Sequence, residues 1–158
     1  MNDKPSKENG KVESDLLYST EHVWIKKLAG DMALIGMTDR FQLTTGLVYI
    51  CWLSPPETVL KAGESFGSME AAKMAVDLIS PVSGRVIETN QSLMSAPGPI
   101  NTDPYNGGWM LKIKMNQPDE LAKLMSPEDY AHLPSADCGD IPGISAEGLL
   151  RLIERREK

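Results

Sequence analysis

The chain has 158 residues, 41% of them hydrophobic and 24% charged, with a formal net charge of −6; that is enough for one domain with a real core but not for two of full size. The acidic balance disfavours a nucleic-acid or anionic-membrane partner, because either needs a cationic footprint. Two cysteines, Cys51 and Cys138, supply neither a disulfide framework nor a spaced set of metal ligands, which suits a reducing cytosol.

Residues 1–15 are polar, charged and without periodicity, and read as a mobile N-terminal arm. They lack the apolar stretch of a secretory signal, and no later stretch is long and apolar enough to span a bilayer. The first arginine, Arg40, comes too late for an arginine-rich transit peptide, so a cytoplasmic location is expected. From residue 16 the texture changes. TEHVWIKKLAGDMALIGMTD predicts two strands joined at Ala29-Gly30-Asp31, where glycine and aspartate supply the turn. Thr38 can cap a short helix over DRFQLTT. LVYICWL follows as a mostly apolar strand that ends at Pro55-Pro56.

ESFGSME, AVDLIS and GRVIET are three more short strands separated by turn signals, and so many short strands imply a sandwich or barrel. SAPGPINTDPYNGGWM reads as a long proline- and glycine-rich loop, and WMLKIKM alternates large apolar and lysine side chains as a half-buried last strand would. Ser126-Pro127-Glu128 combines a capping serine, a proline in the first turn and an acid, which marks a helix start. After Leu133, PSADCGDIPG is a linker by its turn residues. SAEGLLRLIERREK places Ala146, Leu149, Leu150 and Ile153 on one face of a helix that starts at Ser145. Both a helix docked on its own domain and a partner-binding tail fit that pattern. The expected division is therefore an arm over 1–15, a β domain over 16–133, and a linker with a C-terminal amphipathic helix over 134–158.

Catalytic signals are sparse. His22 and His132 lie in no recognisable nucleophile motif and at no metal-ligand spacing, and His22 reads as a buried or hydrogen-bonded strand residue. Trp24, Trp52 and Trp109 suit core and rim packing. Cys51, inside the apolar run, reads as an inert core thiol, which leaves Cys138 as the one candidate reactive cysteine.

One stretch stands apart. In SFGSMEAAKMAVDLIS two strands can fold back at Ala72-Lys73, which would leave Lys73 at an exposed tip with Glu70 and Asp77 a few residues down each arm. Ala71, Ala72 and Ala75 keep the approach uncluttered, and the four-carbon stem carries an attached group clear of the surface. An ordinary solvated lysine on a hairpin fits the spacing too, as does a swinging-arm attachment site.

The surrounding blocks bear on that choice. They are YSTEHVW with Tyr18, Glu21, His22 and Trp24; Ile35-Gly36-Met37-Thr38-Asp39; Ala62-Gly63-Glu64 with Phe66-Gly67; Glu70, Lys73 and Asp77; Ser80-Pro81-Val82-Ser83-Gly84; and Asp103-Pro104-Tyr105 with Gly108-Trp109. In this order, from Tyr18 to Leu133, the sequence resembles the lipoate-bearing H-protein family of the glycine cleavage system. The resemblance implies a mainly β fold, a flattened barrel or sandwich of the lipoyl type with short helices, and lipoic acid amide-linked to Lys73.

The resemblance also implies a carrier that itself cleaves no bond. A pyridoxal-phosphate glycine decarboxylase would load the aminomethyl group, a tetrahydrofolate-dependent aminomethyltransferase would remove it, dihydrolipoyl dehydrogenase would reoxidise the arm, and a lipoate-attaching enzyme would install it. Glu70 and Asp77 are either solvated strand residues or determinants read by that last enzyme. EAAKM also resembles a biotin-carrier tip, although Ala72 stands where that motif has methionine. Ala71 and Met74 stand where the H-protein pattern usually has serine and alanine. A lipoyl carrier for another pathway such as sulfur oxidation, and an unmodified interaction module, are the remaining alternatives.

Overall fold

The computed structural model describes residues 10–133. Residues 1–9 and the expected linker and helix over 134–158, Cys138 included, lie outside the described residues.

The alternation of apolar and polar side chains sorts the strands into two sheets that bury one face each. Strands β1 (Leu17–Tyr18), β2 (Val23–Lys27), β3 (Met32–Met37), β5 (Val59–Leu60), β8 (Gly84–Thr89) and β9 (Trp109–Met115) form a sheet in the order β1-β2-β3-β9-β8-β5. Strands β4 (Val48–Leu53), β6 (Ser65–Ala71) and β7 (Ala75–Ile79) form a second sheet in the order β4-β6-β7. Every strand pairing in both sheets is antiparallel. Ile25, Ile35, Phe41, Leu53, Met69, Leu78, Val86, Leu111 and Ile113 are buried in one main core. Each such side chain contributes about 1.5–3 kcal/mol through removal from water.

Helix α1 (Asp39–Thr45) starts where the capping pattern predicts, with Thr38 Oγ1 accepting from the Phe41 amide at 3.2 Å. Helix α4 (Pro127–Ala131) starts at Ser126, whose hydroxyl accepts from the Asp129 amide at 3.1 Å. The hairpin between β2 and β3 turns through Gly30 at φ 66°, a left-handed conformation that glycine adopts without steric cost.

Two expectations need correction. The stretch read as a long loop contains α3 (Gly98–Thr102), with α2 (Ser92–Ser95) just before it. Pro99 sits in the first turn of α3, where its missing N–H costs nothing, and buried Ile100 anchors that turn to the core. His22 is not in a strand: it precedes β2 at φ 65°. Of the stretch read as a mobile arm, residues 10–15 are tied to the domain. The Lys11 amide donates to Asp39 Oδ2 at 2.8 Å, its carbonyl accepts from the Tyr105 hydroxyl, and the Glu13 amide donates to the Tyr18 hydroxyl at 2.7 Å.

A second, smaller cluster joins Leu16, Tyr18, Trp24 and Tyr130 at the β1 end of the large sheet. Tyr18 and Tyr130 stack with ring centroids 4.6 Å apart. The Tyr130 hydroxyl lies 2.6 Å from His22 Nδ1 and 2.7 Å from Thr38 Oγ1, which fixes α4 to the N-terminus of α1. Burial, and secondarily the Arg40 guanidinium, pushes the His22 pKa down to about 3, so its imidazole is neutral and structural.

Candidate functional site, the Lys73 turn

Strands β6 and β7 pair from Ser65 with Ile79 up to Glu70 with Ala75, and the Ala71 amide then donates to the Met74 carbonyl at 2.9 Å. Ala72 and Lys73 are the two residues left at the bend, both exposed. Half-buried Ala71 and Met74 pack on the main core on either side of them. The sequence thus supplies its own anchor: the methionine after the lysine holds the turn down while Lys73 stays exposed.

The turn is held from below as well. The Ala72 amide donates to the Leu47 carbonyl and the Lys73 amide to the Thr45 carbonyl, each at 2.9 Å. Both N–H groups of the bend are therefore bonded to the chain that leaves α1. Gly46 lies between those two carbonyls at φ 80° and ψ −168°, a region essentially confined to glycine. A Cβ there would stand 3.2 Å from the Ala72 Cβ and 3.6 Å from the Lys73 Cγ.

Asn101 of α3 ties this segment down. Its Nδ2 donates to Gln42 Oε1 at 2.9 Å and to the Gly46 carbonyl at 3.1 Å, and its Oδ1 accepts from the Val48 amide at 2.9 Å. Gly46 and Asn101 were invisible as site residues in the sequence. The available signals were a glycine directly after a predicted helix and an asparagine in a proline-rich stretch, and neither says which distant backbone it serves.

Glu70 and Asp77 are both exposed. Ser68 pairs with Asp77 and Glu70 with Ala75, so Glu70 and Asp77 are diagonal neighbours on the solvent face, with backbone positions about 7–8 Å apart. With Lys73 charged, the tip carries one cation beside two anions; acylation of Lys73 would leave the two anions alone. Of the other residues weighed from the sequence, Cys51 is buried with its thiol pKa pushed up to about 12 by desolvation, which makes it unreactive. His132 is exposed, and its Nδ1 lies 2.6 Å from the Glu128 carbonyl. Trp24 is core and Trp109 half-buried, whereas Trp52 is largely exposed. No group of three or more His, Cys, Asp or Glu placed to hold a metal ion exists among the described residues. No helix among them is long and apolar enough to cross a membrane.

The family model described as Glycine cleavage H-protein matches residues 16–136. Over 122 residues the chain is 43% identical to the glycine cleavage system H protein of Carboxydothermus hydrogenoformans, covering 77% of this chain and 93% of that one. Over 119 residues it is 43% identical to the mitochondrial glycine cleavage system H protein of Pisum sativum, covering 75% of this chain and 72% of the relative. Among solved structures, a glycine cleavage system H protein from Mycobacterium marinum superposes with a TM-score of 0.70 at 29% identity, covering 76% of this chain and 96% of the other. With the fold, the ordered sequence blocks and these matches in agreement, the chain belongs to the glycine cleavage H-protein family.

Proposed function

We propose that this protein is the lipoate-carrying shuttle of a glycine cleavage system, with lipoic acid amide-linked to the Nζ of Lys73. The observation that carries the proposal is an exposed lysine on a two-residue bend whose backbone amides are both bonded to Thr45 and Leu47. A stationary backbone under a flexible four-carbon stem is what a covalent arm requires. The site fits the group: acylation needs an accessible amine, and the flanking Ala72 and Ala75 side chains end at Cβ.

When bound, lipoate supplies a dithiolane that opens by attack at sulfur and can hold a transferred group or two electrons. The chain's own residues supply position. Met74 and Ala71 fix the base of the bend, Gly46 allows the close approach beneath it, and Asn101 holds Gly46 in place. Glu70 and Asp77 give the bend an acidic flank on which an attaching enzyme with a basic rim could orient. In this reading the partners are a pyridoxal-phosphate glycine decarboxylase, a tetrahydrofolate-dependent aminomethyltransferase, dihydrolipoyl dehydrogenase and a lipoate-attaching enzyme. The protein is a carrier subunit, and the bond-breaking chemistry belongs to those partners.

Intact-mass measurement on protein from its native cells tests the attachment, followed by peptide mapping to residue 73. A lipoyl increment on Lys73 is expected; a biotinyl increment or a permanently bare lysine overturns the proposal. Exchange of bicarbonate into glycine, with a glycine decarboxylase and the lipoylated protein, then tests the pathway. Absence of exchange by fully lipoylated protein would point to a different set of partners.

A further inference from the structure

The segment over residues 47–53 leaves a large apolar surface in water. Leu47, Tyr49, Ile50 and Trp52 are 56%, 60%, 53% and 54% exposed, while Val48, Cys51 and Leu53 between them are buried in the main core. Single exposed apolar side chains need no explanation, but a run of them on one short segment forms a patch of the kind that marks an interaction surface. Strand register sets Ile50 beside Glu70 and Trp52 beside Ser68, with Asp77 on the far side of Ser68. The solvent face of this sheet is therefore apolar on β4 and acidic on β6 and β7. The three strands contain no Lys or Arg, and neither Glu70 nor Asp77 joins an ion pair among the described residues. The patch is also continuous with the Lys73 bend: the Leu47 carbonyl accepts from the Ala72 amide, and the Thr45 carbonyl from the Lys73 amide. Backbone bonds thus fix the apolar surface and the lysine to one another.

We propose that this face is the docking surface for the enzyme that acylates Lys73, and that this enzyme presents an apolar surface rimmed by lysine or arginine. The assignment rests on the lipoyl-carrier reading. Reach selects the occupant: acylation takes place at Nζ, one lysine side chain away from the bend, so the acylating enzyme has to seat against the surface beside it. Enzymes that work on the dithiolane meet it at the far end of the arm and need not touch that surface. Charge selects the partner's chemistry, because carboxylates flanking an apolar patch are matched by a cationic border. The same face of a second copy brings no Lys or Arg from its strands, and an anionic lipid surface would be repelled. Trp52 is the expected energetic centre, since a tryptophan in the middle of an interface carries more binding energy than the side chains around it.

The test uses the full-length, unmodified protein with a lipoate–protein ligase, lipoate and ATP. The ligase converts lipoate and ATP to the lipoyl–AMP anhydride and pyrophosphate. Nζ, as the free amine, attacks the acyl carbon; the amide C–N bond forms, the acyl–oxygen bond to AMP breaks, and the amine's proton passes to solvent. Initial rates of lipoyl-Lys73 formation are read by intact mass against protein concentration. Trp52→Ser and Ile50→Ser/Trp52→Ser are expected to raise KM for the protein roughly 10-fold or more with kcat nearly unchanged, because the reacting amine is untouched. Trp52→Phe keeps an aromatic ring and should stay close to the unaltered chain. Glu70→Lys/Asp77→Lys should raise KM as well, by a factor that shrinks with added salt. All these positions are exposed, so urea midpoints should hold; should a serine variant unfold, the lysine pair reads the same docking.

An unchanged KM in folded Trp52→Ser, or a loss carried by kcat, would overturn the proposal. So would dimer formation by the unaltered chain that Trp52→Ser abolishes, which would assign the face to a second copy. If the ligase leaves the unaltered chain bare, the carrier reading and the docking fall together; a chain that is lipoylated with equal KM in Trp52→Ser removes the docking alone.

Discussion

Replacing Gly46 by alanine isolates the device that holds the bend. At φ 80° and ψ −168° an L-residue pays about 1–3 kcal/mol of backbone strain. The new methyl would also press on the Ala72 Cβ at 3.2 Å, a crowding that a coupling of about 0.5 kcal/mol or more would register. Together these give a loss of about 1.5–3.5 kcal/mol. With a urea slope of about 1–3 kcal/mol per molar, the midpoint should fall by roughly 1 M, read by the fluorescence change on unfolding.

Strain directly beneath Lys73 should also lengthen its bond to the Thr45 carbonyl, so the Lys73 amide should exchange faster than the amides of β9, and attachment of lipoate should slow. Ala72→Gly combined with Gly46→Ala should relieve the methyl contact but not the backbone strain, restoring only part of the loss. An unchanged midpoint in Gly46→Ala would refute the claim that the Thr45–Leu47 segment is built around a glycine-only conformation.

Lys73→Arg should leave stability within about 0.5 kcal/mol, because the side chain is exposed, yet should carry no lipoyl mass and support no glycine–bicarbonate exchange; unfolding of this variant would make the lysine structural. Asn101→Ala removes three hydrogen bonds and should cost about 1–3 kcal/mol, with faster exchange at the Ala72 and Lys73 amides as its specific mark. His22 titrates near 3 in the folded protein against about 6.5 unfolded, so the unfolded state binds the extra proton and stability falls as pH drops through that window. The His22 contribution is about 1.4 kcal/mol per pH unit, complete above pH 6.5 and lost progressively towards pH 3. His22→Asn, which tolerates the positive φ, should flatten urea-unfolding stability against pH by that one-proton slope between pH 4.5 and 6.5; identical slopes would show that His22 titrates alike in both states.

The apolar alternation of WMLKIKM and AVDLIS, the Thr38 cap and the fold-back at Ala72-Lys73 were all legible in the sequence, because each is a short-range pattern that the backbone obeys locally. The helical turn at Gly98–Thr102 was not, since proline and glycine read as loop until a buried contact such as that of Ile100 supplies the reason to coil. The strand over LVYICWL was legible as a strand but not as an exposed one. Uniform apolarity suggests burial on both faces, and only the tertiary arrangement, in which the β4-β6-β7 sheet buries one face and leaves the other uncovered, puts Ile50 and Trp52 in water.

The amino-acid order alone determined where a lysine would meet a tight bend between two strands and which carboxylates would flank it, since strand periodicity and turn chemistry act over a few residues. What lies under the bend was decided by tertiary packing: two carbonyls from the end of α1, a glycine that permits close approach, and an asparagine 55 residues away from that glycine in the chain. Backbone hydrogen bonds are blind to side-chain identity, so a contact made by the carbonyls of Thr45 and Leu47 leaves no mark in the letters at those positions.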